Sequence, residues 1–94
     1  MHANVVSFPI PSERLEEATA GIRENTQNLP QMPGFQHGYW TYDQQTGTVH
    51  AMVIFDTAEQ ADAAWEKNRP GVIERVEAMG GSVDARTVNV IHHL

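Results

Sequence analysis

The stretch Pro33-Gly34-Phe35-Gln36-His37-Gly38-Tyr39-Trp40-Thr41-Tyr42-Asp43, then Gln44-Gln45-Thr46-Gly47, then Thr48-Val49-His50-Ala51-Met52-Val53-Ile54-Phe55-Asp56 decides the fold. Its two β-branched and aromatic runs, Phe35 to Asp43 and Thr48 to Asp56, flank a polar, glycine-containing turn, which is the pattern of a β-hairpin. In the second run Thr48, His50, Met52 and Ile54 lie on one side, and Val49, Ala51, Val53 and Phe55 on the other, because strand side chains alternate. Neither side is a solvated surface. A strand with two apolar faces needs two covering layers.

Outward from the hairpin, the rest of the chain supplies one of those layers. Ala3 to Ile10 reads as a strand that Pro9 and Pro11 end, since neither can donate to a ladder. Ser12 stands as the N-cap of a first helix, with Glu13, Glu16 and Glu17 near its positive end. Leu15, Ala18, Ile22 and Leu29 recur near the helical period, and the helix runs to about Asn28, where Pro30 and Pro33 forbid continuation. After the hairpin, Thr57-Ala58-Glu59-Gln60 is a capping box opening a second helix with Ala61, Ala64, Trp65 and Asn68 as its inward stripe. Pro70-Gly71 is expected to break this helix into two pieces, the second carrying Val72, Ile73, Val76 and Met79. Gly80-Gly81 stops it, and Val83 to Leu94 forms a last strand with Val88, Val90 and Ile91. The order is strand, helix, strand, strand, helix, strand. Two helices cover only one face of such a sheet, so the other face is expected to meet a second copy of the chain.

Composition narrows the function classes. Ninety-four residues make one domain, 1–94, with a thin core. With 12 Asp and Glu against 6 Lys and Arg, the net charge of -6 repels a phosphate backbone and argues against nucleic acid as a partner. The absence of cysteine excludes a disulfide framework, a thiolate metal site and a cysteine nucleophile. No basic segment precedes an apolar one at the N-terminus, and no apolar run approaches the ~20 residues of a membrane span. A soluble, cytoplasmic protein without membrane contact is the expectation.

Few residues group into recognisable chemistry. His2, His37, His50, His92 and His93 lie on four strands without carboxylates at ligand spacing, and His92 and His93 face opposite sides, so no metal is expected. Ser7, Ser12 and Ser82 lack a nucleophile-elbow setting. Glu16 and Glu17 read as a solvated helix face, and the glycines form no phosphate loop. What remains is a pocket between sheet and helices. It would hold Asn4 on strand one, Trp65 on helix two, and from the hairpin either Trp40 and Tyr42 or His37 and Tyr39. Trp and Tyr join apolar area to a hydrogen-bonding handle, which suits a flat organic ligand. Trp65 and Asn4 each have a plainer reading too, as core indole and as strand hydrogen-bonder. Met52, with Trp65 and Ile22, would either line such a pocket or fill it.

The order of elements, the corner Pro33-Gly34-Phe35 leading to Gly38-Tyr39-Trp40, and Val53-Ile54-Phe55-Asp56-Thr57 entering an alanine-rich helix together resemble the antibiotic biosynthesis monooxygenase family of the dimeric α/β-barrel superfamily. The resemblance spans nearly the whole chain, and its motifs are structural. It implies an α+β, ferredoxin-like βαββαβ subunit with a four-stranded antiparallel sheet, packed sheet to sheet in a homodimer. It further implies a cofactor-independent monooxygenase acting on a small aromatic or polyketide-like substrate through a carbanion that reacts with dioxygen. By that analogy Asn4 and Trp65 position a phenolic ring, Tyr39, Trp40 or Tyr42 stacks on it, and His37 or His50 serves as base. The competing reading is a non-catalytic dimeric module that binds a small ligand or contributes structure. The haem-degrading branch is similar at Asn4 and Trp65 but uses a histidine further along helix two, and here Arg75 stands about where it would fall.

Overall fold

A computed structural model covers residues 1–94. Eight segments follow in order: β1 (His2–Pro9), a 3-10 turn (Ser12–Arg14), α1 (Leu15–Asn25), a second 3-10 turn (Leu29–Gln31), β2 (Phe35–Asp43), β3 (Thr48–Phe55), α2 (Ala58–Ala78) and β4 (Asp84–Asn89). The strands form one sheet in the order β2-β3-β1-β4, antiparallel at every pairing. This is the ferredoxin-like α+β arrangement, with α1 and α2 on a single face.

Local chemistry explains the element ends. The capping box of α2 is formed: the Gln60 amide donates to Thr57 Oγ1 at 3.1 Å, and the Thr57 amide donates to Gln60 Oε1 at 3.2 Å. Gly34 turns the chain into β2 at φ 78°, a conformation that costs glycine little, and its carbonyl accepts from the Asp56 amide at 2.9 Å. A Cβ at Gly34 would collide with the Gln60 carboxamide. The hairpin entry and the start of α2 therefore occupy adjoining space.

Four expectations need correction. Ser12 does not cap α1; it opens a 3-10 turn and its hydroxyl makes no capping hydrogen bond, so the α-helix starts at Leu15. That helix ends at Asn25, three residues short of Asn28, and the chain reaches Pro30 through a turn and a 3-10 segment. Helix two is continuous across Pro70: the ring removes one backbone donor, but the exposed position lets water serve the freed carbonyl. Finally, β4 stops at Asn89, opposite His2 at the start of β1, with one further backbone hydrogen bond from the Val90 amide to the Met1 carbonyl at 3.0 Å. Ile91 and Leu94 are fully exposed.

Register assigns the faces. Phe35 pairs with Phe55 and His37 with Ile54, so Gln36 is the extra residue of a β-bulge. The bulge shifts side-chain parity within β2. Phe35, Trp40 and Tyr42 consequently share the helix-covered face with Val49, Ala51, Val53 and Phe55 of β3 and with Asn4, Val6 and Phe8 of β1. Phe35 and Phe55 meet edge to face, with ring centroids 5.9 Å apart. Only 14 of 94 residues are buried, and α1 contributes Ala18 alone. At about 1.5–3 kcal/mol per large buried side chain, most of the apolar stabilisation comes from the sheet and α2.

The opposite face carries no element. His37, Tyr39 and Thr41 of β2, His50, Met52 and Ile54 of β3, and Ala3, Val5 and Ser7 of β1 lie there. Tyr39 is 60% and Met52 42% exposed, which is high for residues in mid-strand. No helix is long and apolar enough to cross a membrane.

Candidate functional site

Between the sheet and the two helices lies a cavity of about 390 Å³, a size that suits a small organic ligand. Its floor comes from β1 and β3, one side from α1, and the other from α2, with Asn4, Trp40 and Trp65 among the lining. α1 adds little to the core: it buries Ala18 alone, and Gly21 and Ile22 line the cavity on its inner side.

Asn4 is 5% exposed and fixed by geometry. Its Nδ2 donates to the Ala61 carbonyl at 2.9 Å, which sets the orientation of the carboxamide. Its Oδ1 lies 3.2 Å from the Thr87 hydroxyl, which also stands 2.6 Å from Asp62 Oδ1. A hydroxyl has one proton to donate, and the closer carboxylate is the stronger acceptor. Nδ2 carries a second proton that no protein acceptor takes, and this is the donor left for the cavity.

The two tryptophans reach the cavity from different elements. Trp40 bends over Gly38 of its own strand, where a Cβ would stand 2.7 Å from the indole ring. Trp65, half-buried on α2, packs beside Val6, Phe8 and their neighbours while presenting surface to the cavity. Tyr42 shares this face but spends its hydroxyl on the Ile10 carbonyl at 3.0 Å and is not in the lining.

The other anticipated residues lie elsewhere. His37, Tyr39, His50 and Met52 sit on the uncovered face, so the sheet separates them from Asn4, Trp40 and Trp65 of the same subunit. His50 Nδ1 is 3.2 Å from Ser7 Oγ there, and its carbonyl accepts from Thr41. His92 and His93 are exposed beyond β4. His2, at the start of β1, keeps a buried Nδ1 without a partner, outside the cavity lining. No three His, Asp or Glu side chains gather into a metal-holding group.

The sequence reading names Asn68 and Arg75 on helix two but does not gather them with Arg14, Glu17 and Asn28 into a polar rim. Arg14 and Glu17 of the α1 entry form a two-point pair, Nε to Oε2 at 3.1 Å and Nη2 to Oε1 at 3.2 Å. That hydrogen bond and the guanidinium charge hold the Glu17 carboxyl below its ordinary value and raise Arg14 above its own. Across the opening, Asn28 Nδ2 donates to Asn68 Oδ1 at 3.1 Å, and Arg75 Nη1 donates to the Gly21 carbonyl at 3.2 Å, tying α1 to α2. The helical spacing of Asn68, Val72, Arg75 and Met79 was a signal that these residues share one face.

The geometry has close counterparts among known structures, although no protein-family model and no curated protein matches the sequence. A candidate antibiotic biosynthesis monooxygenase from Deinococcus radiodurans superposes with a TM-score of 0.80 at 8% identity, covering 100% of this chain and 96% of that one. SnoaB from Streptomyces nogalater, a cofactor-independent oxygenase, was solved as its N63A mutant; it gives 0.79 at 11% identity over 99% and 95% of the two chains. A dimeric ferredoxin-like protein from an uncultured marine organism gives 0.72 at 11% identity over 100% and 98%. Identities this low speak for a shared fold. The chain has a ferredoxin-like βαββαβ fold similar, over its whole length, to solved structures named as antibiotic biosynthesis monooxygenases.

Proposed function

We propose that this protein binds a planar aromatic or polyketide-like molecule in the cavity between its sheet and helices and oxidises it as a cofactor-independent monooxygenase. The observation that carries the reading is the open volume of about 390 Å³ bounded by Asn4, Trp40 and Trp65. Two indoles and an oriented carboxamide suit a flat ring bearing oxygen substituents. The oxygenase name of SnoaB, a protein of the same fold, adds support by analogy.

The chemistry resides in the substrate. A ring methylene flanked by phenolic or carbonyl groups loses a proton, and the resulting carbanion transfers electrons to dioxygen and forms a carbon–oxygen bond. The peroxide takes up a proton and loses water, carrying off the second hydrogen of that carbon and leaving a carbonyl. One dioxygen is consumed and one water released. Asn4 would donate to the developing oxyanion and the indoles would hold the ring flat. With no histidine in the lining and Glu17 engaged by Arg14, proton removal falls to solvent.

Pairing of two subunits through the uncovered sheet face completes the reading. Val5, Tyr39, Met52 and Ile54 supply the apolar surface for it.

Oxygen uptake in the presence of dithranol, an anthrone, tests the activity. Uptake above the spontaneous rate, reduced about tenfold in Asn4→Ala by loss of one hydrogen bond to a charged oxygen, is expected. Uptake no faster than without protein would overturn it. One observation favours a second reading, a binding module without turnover: none of the five histidines lines the cavity. Quenching of tryptophan fluorescence by the anthrone without oxygen uptake would select it. Haem binding is a third reading, tested by a Soret band on addition of hemin; Arg75 lines the cavity where that reading would want a histidine.

A further inference from the structure

Arg75 lies ten residues after Trp65 on α2, about 15 Å along the helix axis at 1.5 Å per residue, and both line the same cavity. The lining is therefore graded along α2, with Trp65 and Asn4, which bonds to Ala61, toward one end and Arg75 toward the other. The lining holds two cations, Arg14 and Arg75. They differ in how far they are neutralised.

Arg14 is matched in two-point geometry by Glu17, which occupies the fork that a guanidinium offers to a carboxylate. Arg75 has no such partner. Its nearest carboxylate, Glu24 Oε2, is 3.8 Å from Nη2, beyond hydrogen-bond distance, and the Glu24 side chain is 75% exposed. The one hydrogen bond recorded for Arg75 runs to the Gly21 carbonyl. A Cβ at Gly21 would sit 3.4 Å from Arg75 Cδ, so the Arg75 stem passes directly against this turn of α1. The guanidinium is thus steadied over the cavity through one nitrogen, with most of its five donors uncommitted.

We infer that Arg75 is a specificity-determining residue that takes the anionic group of the ligand, so that the molecules suited to this cavity are planar aromatic acids carrying a carboxylate at the end remote from Trp65. This rests on the cavity being a ligand site, as proposed above, and does not depend on turnover. A carboxylate near the guanidinium fork replaces the loose Glu24 contact with charge-assisted hydrogen bonds, whereas a neutral ligand leaves those donors facing solvent. The overall charge of -6 repels anions at long range, so selection for an acid must come from this local cation.

The experiment compares anthracene-2-carboxylate with anthracene-2-carboxamide at neutral pH, reading binding as quenching of tryptophan fluorescence. The carboxylate is expected to bind about tenfold more tightly than the amide. In Arg75→Gln that preference is expected to vanish while amide binding is retained, and in Glu24→Gln, where the competing carboxylate is gone, it is expected to widen. Equal binding of the two probes to the wild-type protein overturns the inference and leaves the cavity reading standing. Binding of neither overturns both. The wild-type comparison holds even if removing the Arg75–Gly21 hydrogen bond loosens the helices, and thermal melting of Arg75→Gln identifies that case.

Discussion

Asn4 and Ala61, 57 residues apart, are joined by a hydrogen bond of 2.9 Å from the Asn4 carboxamide to the Ala61 carbonyl. The bond anchors the first turns of α2 to β1, the central strand to which β4 is also paired. Asn4→Ala removes a buried donor and leaves the carbonyl facing an apolar gap. A loss of about 1–3 kcal/mol in unfolding free energy is expected, read from urea denaturation. Asn4→Asp should cost more, because its carboxylate cannot donate to that carbonyl and stands near Asp62. An unchanged midpoint in both variants would show that the bond does not anchor the helix.

Trp65 divides its surface between core and cavity. Full burial of an indole makes truncation to alanine cost about 3–5 kcal/mol, and partial exposure should bring Trp65→Ala below that range. The expected variant is folded, with a cooperative melt at lowered temperature and weakened quenching by aromatic ligands through Trp40. A protein that fails to fold would assign the indole to the core alone.

The uncovered sheet face predicts self-association. Light scattering at micromolar concentration should give about twice the 10.5 kDa chain mass. Met52→Lys places a charge amid Val5, Tyr39 and Ile54 and should yield a folded monomer. A wild-type monomer would contradict sheet-to-sheet packing.

The Arg14–Glu17 pair carries a pH signature with a definite sign. Because the folded state holds Glu17 below its ordinary pKa, its contribution to stability is present above the unfolded value and disappears as pH falls through the lower folded value. Both side chains are open to solvent, Glu17 more than Arg14, so the effect is small and shrinks with salt. An NMR titration of the Glu17 carboxyl carbon should show the depressed midpoint, and Arg14→Ala should return it to the ordinary range. Coincident titrations in the two proteins would sink the assignment.

Much of the architecture was readable from residue pattern. Thr57-Ala58-Glu59-Gln60 announced α2, and the runs on either side of Gln44-Gln45-Thr46-Gly47 announced the pairing of β2 with β3. The site was less legible for a physical reason. Alternation tells which residues share a side but not which side the helices choose, so Trp40 with Tyr42 and His37 with Tyr39 stood as equals until the sheet was built. The bulge at Gln36 made matters harder, since one extra residue brings Phe35 onto the same face as Trp40. Val90 and Ile91 read as strand residues because they are β-branched, but the ladder ends at Asn89 and only the Val90 amide bonds beyond it, to the Met1 carbonyl. In the sequence Arg75 is one polar position on α2. Its orientation depends on a carbonyl 54 residues away, at Gly21, which no local pattern encodes.

The contact between Gly34 and Gln60 bears on how this chain can vary. Pro33-Gly34-Phe35 and the start of α2 look like two separate marks in the sequence, yet they share one small volume. A larger residue at 34 would need both a left-handed backbone and a retreat of the Gln60 side chain, which would uncap the helix whose first turns hold Asn4. Drift at the corner therefore propagates to the cavity floor. A lineage that loses the glycine should also redesign position 60, and the two positions are expected to change together or remain fixed.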